Sequence, residues 1–334
     1  MGSIGEQEQI QGLSDQQSHP GDKHAIPVYE QHSSFNSLKE RITDHYNIAS
    51  DYYYSLWGQH IHHGLFIPPN ISKEEAAESL IKFMVDKSGL GAEYNVLDVG
   101  CGIGGTSRYL ARNHSSHVTG ITISGKQVDI ANRLSLSEVN LPSATSIPAP
   151  IPIPIGQGSV HFLHLDAEEM LDVFISHPQA ADVHNFDYVW ISEALSHIPS
   201  KPTIFSSSFA LLAPHGKLVI ADWFRAPDLT PEQIESDIKP IEDGMLLPKL
   251  HTFDEYIGFA EDAGFQLVSG PHDLSKDVAK TWDISWSLVS SPSLWTFAIS
   301  QGRDGLAFLQ AFRAMRRGYA NGSFRYGVMV FEKP

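Results

Sequence analysis

Glu193 and His197 stand four residues apart, directly after the apolar run Phe186–Ile191. A carboxylate and an imidazole so placed can take up or hand over a proton, since imidazole titrates close to neutrality. A second concentration of reactive side chains lies at His60, His62 and His63. A third feature is Asp98, near the end of the apolar run Val96–Val99 and followed by glycines at 100, 102, 104 and 105. Hydrogen as the side chain lets a backbone close a tight turn and lie against a ligand. An acid beside such a loop suits a ligand carrying positive charge better than a pyrophosphate. The histidine trio also raises a metal reading, but no nearby cysteine or paired acid completes a ligand set, so no metal is expected.

The elements that must position these residues follow from pattern. An apolar run, a glycine loop and the helix start Thr106–Arg112 together form the opening of a nucleotide-binding βαβ unit. Taken literally, Gly100-x-Gly102-x-x-Gly105 is a dinucleotide fingerprint. Asp98 argues against that reading. So does the absence of any Asp or Glu from Val99 to Val128, where the acid that meets a dinucleotide ribose would fall. A small cationic amino-acid nucleoside fits better.

Beyond the loop, helix and strand patterns alternate: helix 106–113, strand 117–123, helix 125–139, strand 160–165, strand 186–191, helix 201–213, strand 217–223, a helix from 252 to about 263, strand 264–268, helix 303–320 and strand 324–331. That order predicts an open, mostly parallel α/β sheet of seven strands, with helices on both faces, closed by 324–331 as an antiparallel last strand. Ligands of such sheets sit beyond the carboxyl ends of the strands, which directs Glu193 and His197 to the same cleft as the glycine loop.

Residues 1–32, rich in Gln, Ser, Gly and His, predict a mobile tail. Ser37 with Glu40 and Ser72 with Glu75 have capping-box spacing, and Gly89 stops the second helix. Residues 142–158 form a proline-rich insertion. Proline lacks an N–H donor, so this stretch is no central strand and reads as extended, polyproline-like surface chain. Residues 91–224 make the core, 225–250 an inserted cap rich in proline and acids, and 251–334 the rest of the core. Trp282, Trp286, Trp295 and Phe297 there supply aromatic elements.

Composition sets bounds. The 334 residues carry 39 acids against 23 bases, a net charge of −16. That disfavours nucleic acid as a partner and offers no polybasic anchor for acidic lipid. The single cysteine, Cys101, cannot form an intrachain disulfide and suits a reducing, cytoplasmic setting. No apolar run reaches the ~18 residues of a membrane span, and the N-terminus shows no basic flank or apolar stretch of a secretory signal.

The segment from Val96 to Gly105 resembles motif I of class I S-adenosyl-L-methionine methyltransferases. Gly120-Ile121-Thr122-Ile123-Ser124 with Gln127, His45-Tyr46-Asn47, Trp57-Gly58 and His62-His63-Gly64 resemble the tocopherol and sterol C-methyltransferase branch. The resemblance runs from about Ser34 to Pro334, although the connection over 140–158 is longer than in the family. It implies a Rossmann-like class I sheet in which residues 33–90 form a helical lid over cofactor and acceptor. S-adenosyl-L-methionine is the implied cofactor and S-adenosyl-L-homocysteine its product. Implied cofactor contacts are Tyr46 at the methionine part, Asp98, Gly100, Gly102, Gly104, Thr122, Ile123 and Gln127. Asp166 would accept from the adenine amino group, and the Ala167 N–H would meet a ring nitrogen. His62, His63 or Gly64 would line the reaction chamber.

The expected activity is methyl transfer to carbon, nitrogen or oxygen of a small lipophilic acceptor, aromatic or isoprenoid-derived, in secondary metabolism. His197 is the first acid–base candidate and His63 the second. Glu193 either works with them or meets the cofactor's amino group or a developing cation. Three other readings stay open. A cyclase or isomerase could use the bound sulfonium as a fixed charge, a module could bind the cofactor without catalysis, and a dehydrogenase would bind NAD instead.

Overall fold

The computed structural model describes residues 54, 58–140, 152–176, 186–288 and 302–334. The tail 1–32, Tyr46, the Ser37–Glu40 capping pair, Trp295 and Phe297 lie outside the described residues. Among the described residues the first element with stated bounds is α1 (Lys73–Ser88). Ser72 and Glu75 close a reciprocal capping box at its start, and Gly89 ends it in the left-handed conformation (φ 70°). Then follow β1 (Asn95–Val99), α2 (Gly105–His114), β2 (His117–Thr122), α3 (Gly125–Glu138), β3 (Ile153–Ile155), β4 (Gly158–His164), α4 (Met170–Ser176), β5 (Phe186–Ser192), α5 (Lys201–Leu211) and β6 (Leu212–Arg225).

The cap is a run of helical turns, Pro231–Gln233 and Ile234–Ile238, ending in α6 (Lys239–Gly244). The remainder is α7 (Phe253–Asp262), β7 (Gln266–Asp273), α8 (Ser275–Val278), α9 (Lys280–Leu288), α10 (Gly302–Asn321) and β8 (Phe324–Glu332). Thr252 and Glu255 repeat the capping box at α7.

The strands form one sheet in the order β3-β4-β2-β1-β5-β6-β8-β7. The pairs β1–β2, β2–β4, β1–β5 and β5–β6 are parallel, and β8 is antiparallel to both β6 and β7. Parallel strands covered on both faces need apolar residues at nearly every position. Period-two alternation then divides them between two cores. Leu97, Val99, Val189, Ile191, Leu218 and Ile220 pack on one face with Phe205 of α5 and Tyr256 of α7. Val96, Tyr188, Trp190, Val219 and Ala221 pack on the other with α1, the cap, Trp282, Phe312 and Met315.

Two features differ from the sequence expectation. Among the described residues the sheet has eight strands, because the end of the proline-rich insertion pairs as β3 with β4. Ile153 and Ile155 are buried while Pro154 points outward. An edge strand turns alternate N–H groups away from the ladder, which is where a proline is tolerated. The last strand, β8, does not close the sheet but enters between β6 and β7. That insertion sets Tyr326 beside Trp223.

Candidate active site

The glycine loop leaves β1 by folding back on β2: the N–H groups of Gly100 and Cys101 both donate to the Ile121 carbonyl, at 2.9 and 3.0 Å. A Cβ at Gly100 would lie 2.2 Å from that of Ala194, and one at Gly104 would lie 2.5 Å from the Phe162 ring. Gly102 is different. Its φ is 54°, and a Cβ there would meet no protein atom within 4 Å. It faces a cleft instead.

That cleft spans about 890 Å³ of space continuous with solvent. Its walls come from the carboxyl ends of four parallel strands. β1 supplies Gly100 and Gly102, β2 supplies Thr122 and Ile123, β4 leads to Asp166 and Ala167, and β5 leads to Glu193 and His197. The Thr122 hydroxyl donates to the Gln127 side-chain carbonyl at 2.6 Å, and both residues line the space. Asp166 caps the turn Ala167–Glu169 by accepting from the Glu168 N–H through one carboxylate oxygen, at 2.9 Å. Gly104 is not on the cleft wall; it backs onto Phe162.

Asp98 borders an adjoining recess of about 390 Å³, with Gly100, Gly102, Ser192 and the segment Gln59–His62. The carboxylate is 2% exposed and accepts a 2.6 Å hydrogen bond from the Ser107 hydroxyl. Burial pushes its pKa up to about 6, with the Ser107 bond opposing. A buried carboxylate with one partner and a neighbouring recess is arranged to receive a cationic group.

Glu193 borders the same cleft but bonds its carboxylate to His63 and Tyr326. Its backbone is in the left-handed region (φ 54°), a strained conformation for a residue with a Cβ, costing on the order of 1–3 kcal/mol. Its carboxylate accepts from the His63 backbone N–H at 2.7 Å, from His63 Nδ1 at 2.9 Å and from the Tyr326 hydroxyl at 2.8 Å. Burial alone would raise the Glu193 carboxyl; its interactions with His63 and, less, with His62 hold it below its ordinary value. His63 is 2% exposed. With Nδ1–H on Glu193, its Nε2 is the acceptor, and Trp282 Nε1 donates to it at 2.6 Å with the Tyr319 hydroxyl at 3.2 Å. Trp223 adds its ring, 5.8 Å away centroid to centroid.

His197 lies on the cleft wall in the turn Leu195–His197, its ring 5.8 Å from that of Trp223. The turn is held from behind. Asp222 accepts from the Ser196 N–H at 2.6 Å, and Lys201 donates to the carbonyls of Ser196 (3.1 Å) and Ile198 (2.6 Å). Burial drives the Asp222 carboxyl up and the Lys201 ammonium down, each opposed by the other's charge. Sequence reasoning named neither Lys201 nor Asp222 as part of the site, and it missed Ser107, Tyr319 and Tyr326. A carboxylate closing the apolar run Leu218–Ala221, at the ligand end of a strand, was the available signal for Asp222.

A family model described as a methyltransferase domain matches residues 71–269, more than half of the chain. The chain belongs to the methyltransferase family. This methyltransferase is 26% identical over 325 residues to the chloroplastic tocopherol O-methyltransferase of Arabidopsis thaliana, covering 90% of this chain and 84% of that one. It is 29% identical over 286 residues to a 2-methyl-6-phytyl-1,4-hydroquinone methyltransferase of Synechocystis, covering 81% and 80%. Its fold matches the geranyl diphosphate C-methyltransferase of Streptomyces coelicolor, solved with S-adenosyl-L-homocysteine, with a TM-score of 0.64 at 19% identity over 89% of this chain and 98% of that one. S-adenosyl-L-methionine is the cofactor that belongs with this family. The cleft fits it: Gly102 leaves the wall open, and Asp98 offers a buried carboxylate beside it.

Proposed function

We propose that this methyltransferase acts on a small lipophilic metabolite, aromatic or isoprenoid-derived, and methylates it at carbon, nitrogen or oxygen. The observation that carries the reading is the cleft at the carboxyl ends of β1, β2, β4 and β5, open at Gly102 and flanked by Asp98. The names of the relatives, tocopherol and phytyl-hydroquinone methyltransferases, support the acceptor class.

When bound, S-adenosyl-L-methionine supplies a methyl group already activated on a sulfonium. The protein therefore contributes chiefly alignment, which can supply on the order of 7–11 kcal/mol of the barrier. Asp98 would hold the amino group of the methionine part. Thr122, Ile123 and Gln127 line the middle of the cleft, and Asp166 with Ala167 would meet the base. His197, on a turn fixed by Asp222 and Lys201, is placed to take a proton from an acceptor. Glu193 holds His63, and through it the segment 59–64, over the glycine loop; its backbone carbonyl at Gln59 lies where a Gly105 Cβ would be.

We place the enzyme in the cytoplasm, on the support of a lone cysteine buried in the glycine loop. Among the described residues no helix is long and apolar enough to cross a membrane. The net charge of −16 disfavours nucleic acid as a partner.

The test is an acceptor screen with methyl-labelled cofactor. Label should enter a lipophilic product that is heavier by one methylene unit. A product of unchanged mass would replace methyl transfer by cyclisation or rearrangement.

A further inference from the structure

The segment 58–64 crosses the ligand end of the sheet between two cavities. One is the recess over Asp98 and the glycine loop. The other is a groove of about 1,480 Å³ bordered by Tyr54, Phe66, Ala77, Leu134 and Arg112. His62 borders both. Its Nδ1 lies 2.8 Å from the His63 carbonyl oxygen. A carbonyl only accepts, so Nδ1 carries the hydrogen, and in a neutral ring Nε2 is then a bare acceptor.

Burial favours the neutral ring. It holds the pKa below the ordinary histidine range, against the pull of Glu193 and of the carbonyl bond. Yet Nε2 is buried and has no hydrogen-bond partner among the described residues. His60 stands 5.3 Å away, ring to ring, and its buried Nδ1 also has no partner among the described residues. Burial, then His62, Arg108 and Arg112, take its pKa down to about 3. Buried polar atoms are almost always paired, so two adjacent orphans on one cavity wall call for a ligand group that pairs them.

We propose that His62 Nε2 is the docking point for a phenolic hydroxyl of the methyl acceptor. The missing partner must be a donor, and a hydroxyl supplies one while keeping lone pairs for the Nδ1 of His60. A cationic donor is disfavoured because Arg108 and Arg112 already act on the His60 ring and Arg112 borders the groove. The groove's apolar side chains, Phe66, Ala77 and Leu134, stand among the charged Lys73, Glu78 and Glu138, which gives an aromatic body a place to lie with a polar rim around it. The inference rests on the methyltransferase reading above and narrows its acceptor to one that presents an O–H group.

The experiment compares 1-naphthol with 1-methoxynaphthalene, its methyl ether, as probes of the full-length protein. Binding is followed by calorimetry and by the ¹⁵N signal of His62 Nε2. The ether has no hydrogen to give, so Nε2 stays unpaired on binding. Naphthol is expected to bind at least about tenfold more tightly and to shift the Nε2 signal. His62→Leu should erase the preference. His62→Gln, whose side-chain oxygen can stand near the position of Nε2, should keep it. Equal affinity for the two probes, no binding of naphthol, or a preference that survives His62→Leu would each overturn the proposal. A parallel titration with S-adenosyl-L-methionine separates the two levels. Cofactor binding without probe discrimination removes the hydroxyl site and leaves the methyltransferase reading, whereas absent cofactor binding removes the reading itself.

Discussion

Two regions at the same end of the sheet are built on opposite principles. Around Gly102 and Asp98 the protein leaves space: a glycine with nothing in front of it, and a buried carboxylate with one side-chain partner. Around His63 it leaves none. Both ring nitrogens and the backbone N–H of His63 are matched to protein groups, and four aromatic rings enclose it. The first region is made to receive and the second to hold. The same contrast separates the histidines. His197 and His62 face cavities, while His63 faces Glu193 and Trp282, so we read His63 as part of the framework. Proximity to a cleft is a poor guide to chemistry until the partners of each nitrogen are known.

That contrast can be broken by substitution, because changes in the receiving region should alter ligand handling and changes in the holding region should alter stability. The largest effect is expected at His197. His197→Gln should lower turnover by about 10²–10⁴-fold with cofactor affinity within about twofold. Steady-state rates beside calorimetry decide this, and unchanged turnover removes His197 from the chemistry.

Next comes Glu193→Ala. It deprives the His63 N–H, His63 Nδ1–H and Tyr326 hydroxyl of their acceptor, and denaturant unfolding should register a loss of about 3–5 kcal/mol. Tyr326→Phe removes one of these bonds and should cost about 1.5–3 kcal/mol. Parent-like unfolding of both variants would show that the cage holds nothing.

Two glycines of one loop should behave differently. Gly102→Val places carbon in the open cleft and should weaken cofactor binding by roughly a hundredfold, with a smaller loss of melting temperature from its positive φ. Gly104→Ala drives a methyl group into Phe162 and should do the reverse, lowering melting temperature first. Similar profiles for the two would mean that Gly102 does not front the ligand.

The smallest effect is with pH. The buried carboxyl of Asp98 has its pKa raised to about 6, so the folded chain without ligand holds a proton that the unfolded chain releases near 3.8. Stability contributed by that group is complete below 3.8 and is lost as pH rises through 6. A cationic ligand reverses the preference, because it needs the ionised form. Cofactor affinity should therefore fall about tenfold per unit of pH below 6. Asp98→Asn should bind weakly and flatten this dependence, as titrations from pH 5 to 7 would show.

Much of this was legible in the chain. The glycine loop, Asp98 and Asp166 are local signals, since strand, turn and cap chemistry are fixed within a few residues. The capping pairs Ser72–Glu75 and Thr252–Glu255 formed as their spacing requires. The alternation of elements gave the parallel core for the same reason. What could not be read depends on distant packing. Tyr319 meets His63 across 256 positions, and Tyr326 meets Glu193 across 133; neither pairing has a local pattern. β3 escaped notice because proline argues against a strand, and the exception holds only at an edge whose existence the sequence does not announce. The place of β8 between β6 and β7 likewise depends on which edge the rest of the sheet leaves open.

The claim on which the rest stands is that the cleft fronted by Gly102 and Asp98 takes S-adenosyl-L-methionine. Calorimetric titration of the folded full-length protein with that compound measures this directly. One molecule should bind per chain, and more tightly at pH 7 than at pH 5. A folded protein that gives no binding heat at millimolar ligand would contradict the account at its root.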